Sequence, residues 1–140
     1  MSVDITVIDK LSINSDLSQL SLVEGLIDKT CAALNIDEDM YGNVLIAVTE
    51  AVNNAIIHGN KFSTVLQVSV DVLDTDETFA FRITDAGTGF DYTNLPDPTA
   101  PENLEKENGR GIFLIRNLSD NLEFSENGKV ATIFFNKTNA

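Results

Sequence analysis

The stretch Thr49 to Asn60 reads TEAVNNAIIHGN and crowds Glu50, Asn53, Asn54 and His58 among core-type residues. At about 100 degrees per residue, the apolar stripe around Val48 and Val52 points one way along a helix. Glu50, Asn54 and Ile57 then fall nearly opposite, beside the small Ala47. Glu50 and Asn54 are four apart, so their side chains are neighbours one turn up. A carboxylate next to a carboxamide supplies oxygen ligands for a hard cation such as Mg²⁺, or a base beside a metal ligand. The same spacing also describes a solvated polar face, and His58 reads equally as a helix-end hydrogen-bonder.

Two glycine pairs could serve a bound group. In ITDAGTGF, Ile83 to Phe90, Asp85 ends an apolar run, and Gly87 and Gly89 let the backbone approach a ligand closely. Asp85 could accept hydrogen bonds from that ligand or form an Asx turn for its own loop. In ENGRGIFLI, Glu107 to Ile115, the second pair feeds a helix whose free amides and dipole suit phosphate, with Arg110 adding charge. Neither pair extends to the dinucleotide pattern, since Tyr92 and Leu114 stand where its third glycine would be, and no P-loop lysine and hydroxyl follow.

The elements that must position these residues are legible from periodicity. Val3, Ile5 and Val7 alternate with polar residues as in a short strand. Ser15 or Asp16 caps a first helix whose stripe is Leu20, Val23, Ile27, Cys31 and Leu34. The acidic run Asp37, Glu38, Asp39 suits the positive end of a second helix with the stripe Tyr41, Leu45, Val48, Val52 and Ala55, stopped by Gly59 and Asn60. VLQVSVDVL, Val65 to Leu73, and FAFRIT, Phe79 to Thr84, make a hairpin. A long segment with Pro96, Pro98 and Pro101 precedes a short helix, Gly111 to Leu118. LEFSENGKVATIFF closes as a hairpin in which Asn127-Gly128 favours a type I′ turn. This order predicts an α+β sandwich, helices on one sheet face.

Composition bounds the reading. The 140 residues, 43% hydrophobic and 22% charged, suit one globular domain. A formal net charge of -13 opposes unassisted contact with nucleic acid or an anionic membrane, and leaves open a neutral or basic protein or a metal-screened nucleotide. Cys31 is the only cysteine, so no internal disulfide forms. With no signal-peptide pattern and no apolar run near ~20 residues, a cytoplasmic protein is expected.

Taken in order, TEAVNNAIIHGN, DAGTGF and NGRGIFLIRNLSD resemble the motifs of the GHKL, or histidine-kinase-like, ATPase superfamily. Within it the chain is most similar to the anti-sigma-factor serine/threonine kinases of bacterial partner-switching systems, over nearly its whole length. The resemblance implies a Bergerat-type two-layer α+β sandwich over 1–140, with helices on one face of a mixed, mainly antiparallel sheet and an ATP lid at about 91–108. It implies that Asn54 coordinates Mg²⁺ on the ATP phosphates, that Glu50 is the general base, and that Asp85 accepts from the adenine amino group. Gly87 and Gly89 would shape the base pocket, and Gly109, Arg110, Gly111, Ile112 and Phe113 would hold the phosphates. His58 belongs to the same pocket, and Thr132 matches a late-strand threonine that helps hold the base. The implied partners are an anti-anti-sigma (STAS-type) antagonist, which is phosphorylated, and a sigma factor, with a homodimer allowed. An ATP-gated binding module with little or no kinase activity is the alternative. One departure stands out: members that engage a sigma factor often carry an arginine in the first helix, where Lys29 is the only basic residue here and Gly25 aligns most nearly with that site.

Overall fold

Capping and alternation place the elements much as their residues predict. The computed structural model describes residues 5–61, 63, 65–86 and 107–137, the side chains of 107–110 and 127 excepted. Strand β1 is Thr6–Asn14 and helix α1 is Leu20–Ala33. The Asp16 carboxylate accepts the Ser18 amide at 3.0 Å and starts the 3₁₀ turn that leads into α1. Helix α2, Glu38–Asn54, is capped by Asp37, which accepts the Met40 amide at 2.8 Å, a bond worth about 1 kcal/mol. Its last turn widens into a π-helical turn at Ala55–Gly59, closed by the Asn60 amide on the Ala55 carbonyl at 2.8 Å. The hairpin is β2, Gln67–Asp74, with β3, Thr78–Thr84, and after it come α3, Glu107–Leu118, β4, Asn121–Ser125, and β5, Val130–Asn136.

The five strands run in the order β1-β2-β3-β5-β4. Every pairing among the described strands is antiparallel, so the sheet expected as mixed is wholly antiparallel here. One face carries Val68, Val70 and Val72, then Phe79, Phe81 and Ile83, then Ile133 and Phe135, all buried. Phe79 stacks on Phe135 with ring centroids 5.4 Å apart. Val23 and Ile27 of α1, Val44, Val48 and Val52 of α2, and Ile115 of α3 complete the same core, which makes the α+β sandwich.

Three boundaries differ from expectation, each for a tertiary reason. The first strand, Thr6–Asn14, runs well past the expected Val7, while Ile5 is 60% exposed and Val3 lies outside the described residues. Its register is set by pairing with β2, where Ile13 faces Val68 and is buried. Helix α3 starts at Glu107, ahead of Gly111, because Gly111 is an interior contact point for α2 and not a boundary. The last hairpin does not close on a two-residue type I′ turn. A 3₁₀ turn at Glu126–Gly128, with φ of 53° at Glu126 and 85° at Gly128, joins the paired Ser125 and Val130. That wider loop puts the Lys129 carbonyl where the Asp85 amide reaches it, at 2.9 Å.

Cys31 sits in the core between α1 and its neighbours. Burial, then the charge of Asp28, pushes its thiol up from 9.0 to about 11. The neutral form is the favoured one in the fold, so its contribution to stability is whole below pH 9 and lost as pH rises toward 11. Thermal melts across that window should therefore fall more steeply for the parent than for Cys31→Val. Parallel curves would show that the thiol is not held neutral by the fold.

Candidate functional site

The end of α2, the end of β3 and the first half of α3 meet around two adjoining cavities that share Asn54 and His58. The inner one is narrow, about 50 Å³, well below the volume of a typical small-molecule pocket, and it opens into the outer one. Its walls are apolar: Ala51 and Ala55 from α2 and the π turn, Ile83 and Ala131 from the sheet, Ile112 and Ile115 from α3. Into this wall Asp85 brings a carboxylate. A carboxylate facing an apolar pocket binds groups that donate hydrogen bonds and rejects those that only accept.

Gly59 lets that carboxylate sit where it does. A Cβ on Gly59 would fall 2.5 Å from Asp85 Cγ and Oδ2, so the acid occupies the space of the missing side chain. The backbone at Asp85 is tied on both sides, its own amide to the Lys129 carbonyl at 2.9 Å and the Ala86 amide to Asn60 Oδ1 at 2.8 Å.

The outer cavity, about 350 Å³, is polar and lined by Glu50, Asn53, Asn54, Ile57 and His58 against Gly111 and Leu114 of α3. A Cβ on Gly111 would lie 2.5 Å from Glu50 Oε1 and 3.0 Å from Asn54 Nδ2. The α3 backbone therefore touches the two polar side chains directly. Among the described residues no group of three or more His, Cys, Asp or Glu side chains could hold a metal ion. A hard cation at Glu50 and Asn54 would draw its other ligands from a bound anion and water, which is how Mg²⁺ is commonly held.

Glu50, Asn54, His58, Asp85, Gly111 and Ile112 are thus brought together, with His58 exposed at the rim. Phe113 is 45% exposed and lines neither cavity. Gly109 and Arg110 lie in the first turn of α3, whose amides at 107–110 have no partner within the helix, while those of Gly111, Ile112 and Phe113 belong to its interior. Gly87, Gly89 and the lid as far as residue 106 lie outside the described residues. Thr132 is a correction. It stands in register with Arg82 and Glu123, on the face of the sheet away from the helices, because Ile133 and Phe135 point inward. The β5 residue in the pocket wall is Ala131, and the alternation of ATIFF already carried that signal. Asn60 and Gly59 were read only as stop residues, and nothing in the sequence marks the contacts they make.

Residues 13–135 match the family described as the histidine kinase-like ATPase domain. The serine-protein kinase RsbW of Bacillus cereus (strain AH187) is 29% identical over 105 residues, covering 71% of this chain and 62% of the relative. The chain therefore spans less than two thirds of that relative's length. RsbW of Staphylococcus aureus (strain Newman) is 26% identical over 129 residues, 85% of this chain and 80% of the relative. The anti-sigma F factor of Clostridium botulinum (strain Eklund 17B / Type B) is 35% identical over 96 residues, 65% of each chain. Among solved structures, the RsbU and RsbW domains of Rv1364c from Mycobacterium tuberculosis superpose with a TM-score of 0.59 at 12% identity. That likeness covers 95% of this chain and 31% of the other, and it is one of fold.

The glycine contacts make a direct test. Gly59→Ala should cost on the order of 1–2 kcal/mol in urea unfolding, because its methyl displaces the Asp85 carboxylate. In an Asp85→Ala background the same change should cost close to nothing, since the obstructing atoms are gone. An equal cost in both backgrounds would mean that the two groups do not meet.

Proposed function

Because this chain belongs to the histidine kinase-like ATPase domain family, we propose that it is an ATP-dependent serine/threonine protein kinase and anti-sigma factor of a partner-switching system. Its substrate is an anti-anti-sigma antagonist of the STAS type, and its second partner is a sigma factor, so it regulates transcription without touching nucleic acid. The observation that carries this reading is the placement of Glu50 and Asn54 side by side against Gly111, next to an apolar pocket that ends in the Asp85 carboxylate. Relatives named as serine-protein kinase and as anti-sigma F factor support it.

The roles follow from the chemistry of each group. Asp85 accepts from an exocyclic amino group, which selects adenine over guanine, while Ala51, Ala55 and Ile112 keep water from the base. Asn54 offers its carboxamide oxygen to Mg²⁺. Glu50 takes the proton from the incoming serine or threonine hydroxyl. The first-turn amides of α3, with Arg110, face the anionic end of the nucleotide. The lid at about 91–108, with Gly87 and Gly89, closes over it, and His58 stands at the mouth. Mg-ATP supplies the phosphoryl group and, with its metal, offsets the repulsion that a chain of net charge -13 would exert on a triphosphate. Thr132 has no part in the base pocket.

The same charge calls for neutral or basic partner surfaces. Exposed Ile46, Phe113 and Leu114 lie on the helices that bear the polar cavity and offer apolar contact to such a partner. No helix among the described residues is long and apolar enough to cross a membrane. The kinase reading itself calls for a cytoplasmic protein and allows a homodimer.

Transfer of labelled phosphate from ATP to an antagonist serine tests the proposal. Glu50→Gln should lower the rate by at least about 100-fold while nucleotide affinity, measured by calorimetry, stays within about threefold. Asn54→Ala should abolish the Mg²⁺ dependence of that affinity. Parental transfer by the Glu50→Gln protein would sink the kinase assignment, and Mg²⁺-dependent binding by Asn54→Ala would sink the metal assignment.

A further inference from the structure

Asn60 is 2% exposed and every polar atom of its side chain is engaged. Its Nδ2 donates to Ser15 Oγ at 2.8 Å and to the Gln67 carbonyl at 3.1 Å, and its Oδ1 accepts the Ala86 amide at 2.8 Å. Ser15, itself buried, donates its hydroxyl hydrogen bond to the Leu66 carbonyl at 2.7 Å. One carboxamide thus joins the end of β1, the start of β2 and the residue that follows Asp85. A buried amide with such a set of partners is costly to build, since any partner removed leaves an unsatisfied group in the core.

The two faces of that carboxamide do different work. The Nδ2 side holds scaffold to scaffold. The Oδ1 side holds the site, because the Ala86 amide and the Asp85 amide are the two consecutive donors that set the backbone from which the Asp85 side chain projects. The Asp85 carboxyl rests on Gly59, the residue immediately before Asn60. Anchor and seat for the acid are therefore adjacent in the chain, at the end of one π-helical turn.

We propose that Asn60 is a positioning residue that sets base specificity by holding Asp85 in the one orientation that meets an exocyclic amino group. This inference rests on the nucleotide reading given above. With Asn60 in place, Asp85 presents acceptors only, and a guanine carbonyl at that position meets like partial charge. Without the Oδ1 acceptor, the Ala86 amide loses its partner, the Asp85 backbone rotates toward solvent, and the pocket discriminates less between the two purines.

Calorimetric titration of Mg-ATP and Mg-GTP into the parent, Asn60→Ala and Ser15→Ala proteins separates this from a general scaffold role. The ratio of the two dissociation constants should fall about tenfold in Asn60→Ala, a change corresponding to the loss of one well-formed buried bond. Ser15→Ala removes bonds on the scaffold side alone, and it should lower the melting temperature yet leave the ratio within about twofold of the parent. Asn60→Ser, which keeps a hydroxyl in the buried site but cannot reach the Ala86 amide, replaces the alanine variant if that one does not fold, with the same loss expected. An unchanged ratio in the folded Asn60 variant, or an equal loss in Ser15→Ala, overturns the role of Asn60 alone. A parent that binds neither nucleotide overturns the nucleotide reading and this inference with it.

Discussion

Helix α2 is held on one side by the sheet and on another by α3, and Glu50 and Asn54 face the cleft beside α3. Val44, Val48 and Val52 have no exposed surface, and each such side chain stabilises by about 1.5–3 kcal/mol when fully buried. Turning the helix by one residue position would bring those valines out and carry Glu50 and Asn54 toward the core without partners, which is costly on both counts. The rotation of α2 is thereby set by its apolar side. The direction of its polar side follows as a consequence, and no interaction made by the polar groups themselves is needed to choose it.

Two glycines turn that orientation into a site. Gly111 lets the α3 backbone reach Glu50 and Asn54, and Gly59 lets Asp85 settle against the end of α2. The result is a division between a mainly apolar compartment, with alanine and isoleucine walls, and a polar one beside it. The polar compartment sets Glu50 and Asn54 against the α3 backbone. Asn54 borders both and so links the two environments.

The fold is shared with the RsbW-containing structure at only 12% identity, whereas the named relatives run from 26% to 35%. Apolar side chains of about the right size suffice to keep a sandwich of this kind, so its core tolerates wide substitution. On α1 Gly25 has nothing within 4 Å of where a side chain would begin, and Leu22 is half exposed beside the charged Glu24, Asp28 and Lys29.

Much of this was readable in the residues. The period of three to four in α1 and α2, a cap at Ser15 or Asp16, the acidic run from Asp37 at the start of α2, and the alternation of β2 and β3 are local signals, because caps and periodicity depend on neighbours in the chain. So too was the candidate pair of Glu50 and Asn54, since i and i+4 are adjacent on any helix. Tertiary structure decided the remainder. It extended β1 along the stretch that pairs with β2, took Gly111 inside α3, widened the last turn so that Lys129 could meet Asp85, and turned Thr132 away from the pocket. Asn60 shows the reason most plainly. Its partners Ser15 and Ala86 lie 45 residues before it and 26 after it, and a contact across such separations leaves no trace in local spacing.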